Sequence, residues 1–95
     1  MRIIPVGDSI YLEVLPMREE QGLIKLPEVH SERTRKAVVR AIGDEVKKYK
    51  VGDKVLISYF TGTHLHLFEL NAYDKPDLHR MVRQDAILAK YEDEG

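Results

Sequence analysis

Cysteine is absent from the 95 residues of this chain. Its absence excludes disulfides, thiolate metal sites and cysteine nucleophiles, and it is compatible with a reducing cytosol. An excess of one charge is also lacking, because 15 lysines and arginines face 16 aspartates and glutamates, for a formal net charge of -1. A surface that follows a nucleic-acid backbone needs clustered basic residues, so nucleic acid is disfavoured as a partner.

Long hydrophobic runs are missing as well. No stretch approaches the roughly 20 apolar residues that a membrane-spanning helix requires. The opening residues, MRIIPVGD, lack the apolar core of a signal peptide. We therefore expect a cytoplasmic protein that has no membrane partner. At this length we expect one domain over residues 1–95, of modest stability unless copies associate.

Alternating apolar and polar residues predict a series of short strands. Residues 9–15 alternate with period two, as a half-buried strand does. Further strands are predicted between turns that are rich in glycine or polar residues, at residues 36–42, 54–59, 63–70 and 78–83. Residues 85–92 fit either a helix or a short strand. Short strands at this spacing are typical of a small β-barrel or sandwich, so the expected fold class is all-β.

Residues 2–6 form a short apolar segment before the first predicted strand. Pro5 interrupts it, and a proline inside a strand pattern indicates an edge strand. An exposed apolar edge promotes aggregation. We therefore expect another segment to cover this edge.

The stretch from residue 16 to residue 36 shows neither strand alternation nor helical spacing. Loops longer than about 12–15 residues are uncommon in compact domains and are usually functional or disordered. A short apolar island lies at its middle, Gly22-Leu23-Ile24-Lys25-Leu26-Pro27-Glu28. A mobile segment with a few hydrophobic anchors is typical of recognition elements that become ordered on a partner. The alternative is a surface loop that packs Leu23, Ile24 and Leu26 onto its own core.

A second class of function is a free-standing small-barrel binding module, either oligonucleotide-binding or peptide-binding. The balanced charge is evidence against it, and so is the scarcity of aromatic residues near basic ones, since only Tyr59 and Phe60 cluster. The basic residues Arg33, Arg35 and Lys36 beside the long loop are interpreted as a solvated flank, or as a means of steering the loop toward an acidic partner.

Three histidines are candidate metal ligands, but we do not predict a metal site. His64 and His66 share one face of a predicted strand, and His79 lies on a strand that could be adjacent. Histidines with this spacing on an exposed strand are far more often solvated. We therefore expect neither a metal nor a cofactor.

Five segments of the chain follow the order of motifs in one known family. They are Ile4-Pro5-Val6-Gly7-Asp8-Ser9-Ile10, the apolar island, Lys36-Ala37-Val38-Val39-Arg40-Ala41-Ile42-Gly43, Tyr49-Lys50-Val51-Gly52-Asp53-Lys54-Val55-Leu56 and Met81-Val82-Arg83-Gln84-Asp85-Ala86-Ile87-Leu88-Ala89. In this order they resemble motifs of the ten-kilodalton co-chaperonin family, the GroES-like lids of the bacterial chaperonin. The second resembles that family's Gly-Gly-Ile-Val-Leu-Pro-Glu, and the fourth its Val-Lys-Val-Gly-Asp-x-Val.

The resemblance implies a GroES-like Greek-key β-barrel that forms a heptameric ring and carries no catalytic site. It implies that a mobile loop, about residues 16–36, caps an ATP-bound, GroEL-like chaperonin ring and so encloses a non-native protein. The implied chaperonin contacts are Gly22, Leu23, Ile24, Lys25, Leu26 and Pro27. Each subunit would lend an edge strand to its neighbour, through Arg2, Ile3, Ile4, Pro5 and Val6 on one side and Ile87, Leu88, Ala89 and Tyr91 on the other.

The chain departs from the family's pattern at several positions. Lys25 replaces a usual aliphatic residue, but in an extended segment it points away from the side that Ile24 and Leu26 share, so the anchors are retained. Leu23 replaces a usual glycine and can add a third anchor. Only seven residues separate Gly43 from Val51, where most relatives have a longer hairpin that roofs the ring. We therefore expect a wider central opening. The loop at residues 71–77 is longer than usual.

Overall fold

The computed structural model describes residues 2–15, 34–67 and 78–92. Within them, six strands form one sheet in the order β4-β5-β1-β2-β3-β6. All neighbouring strands are antiparallel. The strands are β1 (Ser9–Val14), β2 (Thr34–Ile42), β3 (Lys54–Ser58), β4 (Thr63–His64), β5 (His79–Arg83) and β6 (Ala89–Lys90). The predicted all-β class is confirmed.

Apolar side chains at alternate positions of the strands form a single core. In β1 the side chains of Ile10, Leu12 and Val14 are buried, while the residues between them are partly exposed. The same period-two pattern gives β3 and β5 their buried positions. The core consists of Ile10, Leu12, Val14, Ala37, Val39, Val46, Val55, Ile57, Val82 and Ile87.

The turn after β2 packs against the start of β1. A Cβ at Gly43 would collide with the carbonyl oxygen of Gly7, so only glycine fits at this crossing. The amide of Gly43 donates to the carbonyl of Ser9 at 2.9 Å, and that of Glu45 to the carbonyl of Gly7 at 2.9 Å. Within this short connector Val46 is buried in the core. The connector therefore lies on the barrel and does not project from it as a hairpin.

Several predicted boundaries shift. β2 begins at Thr34, two residues before the predicted strand at residues 36–42, so the end of the predicted loop, about residues 16–36, is strand instead. The fourth predicted strand was too long, because β4 ends at His64 and residues 65–67 are not strand, while residues 68–70 lie outside the described residues. The ambiguous segment near the end contains a 3₁₀ turn, Gln84–Ala86, followed by β6. The first and last residues of these strands depend on pairing with strands that are far away in the sequence. The local pattern of apolar and polar residues does not show this pairing.

Candidate functional site

The candidate site lies at the end of the sheet where β1 stops and β2 begins. Val14 is opposite Ala37, and the amide of Leu15 donates to the carbonyl of Lys36 at 2.8 Å. The connection formed by residues 16–33 therefore leaves and rejoins the sheet at adjacent positions of paired strands. The predicted chaperonin contacts fall within this connection, outside the described residues, and they are Gly22, Leu23, Ile24, Lys25, Leu26 and Pro27.

Arg35 lies at the base of this connection with its side chain directed into the barrel. Only 7% of its surface is exposed, and it shares the inward face of β2 with Ala37 and Val39. Its Nη2 donates to the carbonyl oxygen of Leu15 at 3.1 Å. Its guanidinium carbon lies 5.6 Å from the centre of the Tyr59 ring. The interpretation of Arg35 as part of a solvated flank is wrong, because the phase of β2 turns this side chain inward.

The other basic residues of the predicted flank differ from Arg35. Lys36, the next residue on β2, is exposed as expected, and its Nζ lies 5.2 Å from the centre of the Tyr91 ring. Arg33 lies outside the described residues. The flank is therefore not one uniform solvated patch.

Arg80 approaches the same tyrosine from β5. It is fully buried, and its Nη1 donates to the carbonyl oxygens of Tyr59 at 2.7 Å and Thr61 at 3.1 Å. Its guanidinium carbon is 6.0 Å from the centre of the Tyr59 ring. We call Arg35, Tyr59, Arg80 and the carbonyl group of Leu15 the stem cluster. This cluster joins the base of the 16–33 connection to the turn that follows β3.

The turn after β3 presents an exposed aromatic side chain beside the stem cluster. Phe60 is 76% exposed, and its ring meets that of Tyr59 edge to face with centres 4.9 Å apart. The turn is closed by a hydrogen bond from the amide of Thr61 to the carbonyl of Ser58 at 3.1 Å. These two aromatic residues, adjacent in sequence, therefore also contact each other through their rings.

The inward positions of the two arginines of the stem cluster have a signal in the sequence that was not used in the predictions above. Arg35 is two residues before Ala37, and Arg80 is two residues before Val82, so each is in phase with a buried position of its strand. A charged side chain at an inward position is unusual enough to suggest a specific hydrogen-bonded role. For Arg80 the signal lay within the predicted strand at residues 78–83, whereas for Arg35 it requires the predicted strand at residues 36–42 to begin at Thr34.

The predicted subunit interface involves two further segments. In the first, Ile4 is 71% and Val6 is 76% exposed, whereas Pro5 is buried. A groove of about 460 Å³ separates residues 2–5 from the outer face of β1 and β2, where Tyr11 and Ala41 form part of its wall. Among the hydrogen bonds between described main-chain groups, residues 2–5 take part in none. This segment therefore has main-chain groups available for pairing.

The second segment contains β6, one edge of the sheet. β6 pairs with β3 on one side only, and the amide of Leu88 donates to the carbonyl of Leu56 at 2.9 Å. Leu88 is 60% exposed, whereas the side chain of Ile87 is buried in the barrel's own core. Ala89 is exposed and Tyr91 partly exposed. In the described part of the chain residues 2–6 and 87–91 are not strand partners of each other, so each keeps a free edge.

The three histidines considered above, His64, His66 and His79, do not form one cluster. The rings of His64 and His66 lie with centres 6.4 Å apart, while Nδ1 of His79 lies 3.0 Å from the hydroxyl oxygen of Tyr11 in a hydrogen bond. Among the residues that the structure describes, no group of three or more His, Cys, Asp or Glu side chains is placed to hold a metal ion. The same described residues include no helix with the length and apolar character to span a membrane.

Comparison with known proteins adds a family likeness to this geometry. A family model described as "Chaperonin 10 Kd subunit" matches residues 2–91. The chain is 37% identical over 98 residues to a protein named Co-chaperonin GroES from Kosmotoga olearia, covering 98% of this chain and 100% of that protein. Proteins of the same name from Pseudothermotoga lettingae and Thermotoga maritima are 31% and 35% identical, each covering 98% of this chain and at least 99% of the relative.

Proposed function

Because the chain belongs to the Chaperonin 10 Kd subunit family and is a co-chaperonin, we propose that it caps a chaperonin ring through residues 16–33. The proposed partner is a GroEL-like ring in its ATP-bound state, and the proposed cargo is a non-native protein held beneath the cap. The contacts assigned to the partner are Gly22, Leu23, Ile24, Lys25, Leu26 and Pro27. The whole chain, residues 1–95, is proposed to act as one domain in the cytoplasm, by binding and without a catalytic site of its own.

The observation that supports this assignment is the anchoring of the connection at both ends. Leu15 and Lys36 are hydrogen-bonded across the end of the β1–β2 ladder, and Arg35 ties the carbonyl of Leu15 to the barrel. An 18-residue connection, residues 16–33, departs from this fixed base. Its apolar island carries three aliphatic side chains between polar flanks. A segment of this composition on a rigid base is suited to inserting hydrophobic anchors into a partner's groove.

Each such contact is expected to be weak by itself. Burying Leu23, Ile24 and Leu26 contributes about 1.5–3 kcal/mol per side chain. Fixing the backbone of the seven-residue island costs about 1–2 kcal/mol per residue, which equals or exceeds that gain. Several loops on one ring make later contacts effectively intramolecular, so the assembly binds tightly although each loop does not. A small change in the partner's nucleotide-dependent affinity is then sufficient to release the cap.

We propose a homo-oligomeric ring of seven subunits, as the family likeness implies. In it, residues 2–6 of one copy pair with the free edge near β6 of the next. The exposed side chains of Ile4, Val6 and Leu88 support this pairing, because they would be covered by it. Ile87 would contribute through its main chain, since its side chain lies in its own core. The short connector that packs onto the barrel supports the further proposal of a wide central opening.

The alternative of a free-standing binding module is not favoured, because the relatives that match the full chain carry the co-chaperonin name. The balanced charge of -1 is also unsuited to an oligonucleotide surface. No separate observation supports a second function.

The proposal is tested by capture of the purified protein on a chaperonin ring with and without ATP. Ile24→Asp and Leu26→Asp should abolish ATP-dependent capture, because each places a charge in an apolar groove. Lys47→Gln, the control, changes the net charge by the same one unit at an exposed position outside the assigned contacts, and it should bind normally. Normal capture of both aspartate variants would reject the assigned contact residues.

A further inference from the structure

Arg35 connects three points of the molecule that are separate in sequence. Its Nη2 donates at 3.1 Å to the carbonyl oxygen of Leu15, the last described residue before the 16–33 connection. Its guanidinium stands 5.6 Å from the ring centre of Tyr59, in the turn after β3. Arg35 is itself the second residue of β2, where the chain rejoins the sheet. One buried side chain therefore touches the start of the connection, its end and a neighbouring turn.

The tyrosine that Arg35 contacts is itself fixed. Arg80 donates to the carbonyl oxygens on both sides of Phe60, those of Tyr59 and Thr61, from a fully buried position. The main chain of the turn is thus held from inside the barrel. Arg35 consequently packs against a tyrosine whose main chain is hydrogen-bonded from the interior of the barrel.

We propose that Arg35 is a positioning residue for partner binding, which holds the two ends of the 16–33 connection at one separation and orientation relative to the barrel. The inference rests on the proposed function, since it assumes that this connection carries the partner contacts. A fixed base removes part of the conformational freedom that the connection would otherwise lose on docking. Arg35 therefore strengthens binding without contacting the partner.

The cationic character of this residue supports a specific role. Burying a guanidinium is unfavourable unless its donors are used, and an apolar side chain at such a position is often at least as stabilising. Ala37 and Val39, the next inward residues on β2, are apolar. If Arg35 only filled the end of the core, an aliphatic side chain would serve as well. The hydrogen bond to Leu15 is what an aliphatic side chain could not make.

The test compares Arg35→Met and Arg35→Lys with Arg40→Met in the full-length protein. Arg40 lies on the same strand but is exposed, and it forms its ion pair with Glu13 on the outer face. Two quantities are measured: the affinity for a purified chaperonin ring in ATP, and hydrogen exchange at the amides of Leu15 and Val39. The Leu15 amide bonds to Lys36, and the Val39 amide bonds to Asp53, farther from the stem cluster.

In Arg35→Met we expect exchange at Leu15 to accelerate about three- to tenfold and chaperonin affinity to fall by about the same factor per loop, as loss of one hydrogen bond implies. Exchange at Val39 in Arg35→Met should remain at the wild-type rate. Arg40→Met should show the wild-type exchange rates and the wild-type affinity for the chaperonin. If Arg35→Met does not fold, Arg35→Lys, which keeps the charge but loses the planar guanidinium, should show the same two effects at smaller size.

Unchanged affinity in the Arg35 variants, with Ile24→Asp still defective, would overturn the positioning role and leave the proposed function intact. Unchanged exchange at Leu15 would overturn it equally. Normal binding by Ile24→Asp as well would overturn the proposed function and, with it, this inference.

Discussion

Arg80, fully buried on β5, donates a 2.7 Å hydrogen bond to the carbonyl oxygen of Tyr59. The same Nη1 group also reaches the carbonyl oxygen of Thr61, so that one cation fixes both sides of the exposed Phe60. The guanidinium of Arg35 in turn contacts the ring of Tyr59. The barrel thus has an ordered polar cluster at the end from which the 16–33 connection emerges.

Arg80→Ala should lower the free energy of unfolding by about 3–5 kcal/mol, because it removes a large buried side chain and leaves two carbonyl groups without this donor. Arg40→Ala, the control, removes an arginine whose side chain is 48% exposed and should cost less than about 1 kcal/mol. Urea denaturation of both variants measures the difference. Equal losses would show that the buried hydrogen bonds of Arg80 add nothing to stability.

The carboxylate of Asp53 should stabilise the folded protein at neutral pH and lose this effect in acid. The pKa of Asp53 is lowered, first by the hydrogen bond from the amide of Lys50 at 2.9 Å and further by the charge of Lys90, whose Nζ is 3.5 Å away. A carboxylate with a lowered pKa stabilises the folded state above its unfolded pKa, and that contribution disappears as the pH falls through the folded pKa.

Unfolding of the wild type and Asp53→Asn should therefore be compared at neutral pH and at about pH 3, below the usual aspartate pKa. The wild type should be the more stable at neutral pH, and the gap between the two free energies of unfolding should narrow in acid. A gap that is constant or widens in acid would contradict the assigned role of the carboxylate.

The raised pKa of Tyr11 should make the folded protein less stable in alkali. Burial raises the pKa of Tyr11, the charge of Glu13 adds to the rise, and Arg40 opposes it. A group whose pKa is raised on folding stabilises the folded state below its unfolded pKa, and this stabilisation is lost as the pH rises through the folded value. Tyr11→Phe should therefore be less sensitive to alkali than the wild type between about pH 9 and 11. Thermal melts across this range measure it, and identical pH profiles would count against the prediction.

Gly43→Ala should destabilise the barrel, because the added Cβ meets the carbonyl oxygen of Gly7 and lies 2.9 Å from the carbonyl carbon of Val6. Overpacking against main chain typically costs about 1–3 kcal/mol. Gly52→Asn is the control, since nothing lies within 4 Å of its Cβ position and asparagine tolerates its φ of +98° better than most residues. Chemical denaturation should rank Gly43→Ala as the more damaging change, and the reverse order would refute the steric reason.

Val6→Asp should prevent ring assembly, because it places a charge on an apolar segment that the proposed neighbour covers. Phe60→Asp introduces the same charge at an equally exposed apolar position, 76% exposed in both cases, and should leave assembly intact. Sedimentation velocity distinguishes the two outcomes. Intact rings in Val6→Asp would remove this segment from the interface.

The all-β class and most strands were predictable from sequence, since period-two alternation is a local property of segments such as Ser9–Val14. The family was also predictable from the order of the sequence motifs. The contact residues from Gly22 to Pro27 and the ring interface remain predictions, because the first lie outside the described residues and the second concerns neighbouring copies.

The sequence by itself determined which side chains alternate, where glycine must turn the chain and that an apolar island lies within a stretch that lacks strand alternation. Only the tertiary structure decided that β2 begins at Thr34, that Arg35 on β2 and Arg80 on β5 are buried and that both contact Tyr59. The physical reason is that burial at the end of a strand depends on long-range pairing. The Thr34–Ser58 and Leu12–Arg80 pairs bring together residues far apart in the chain, and no local pattern reports that proximity.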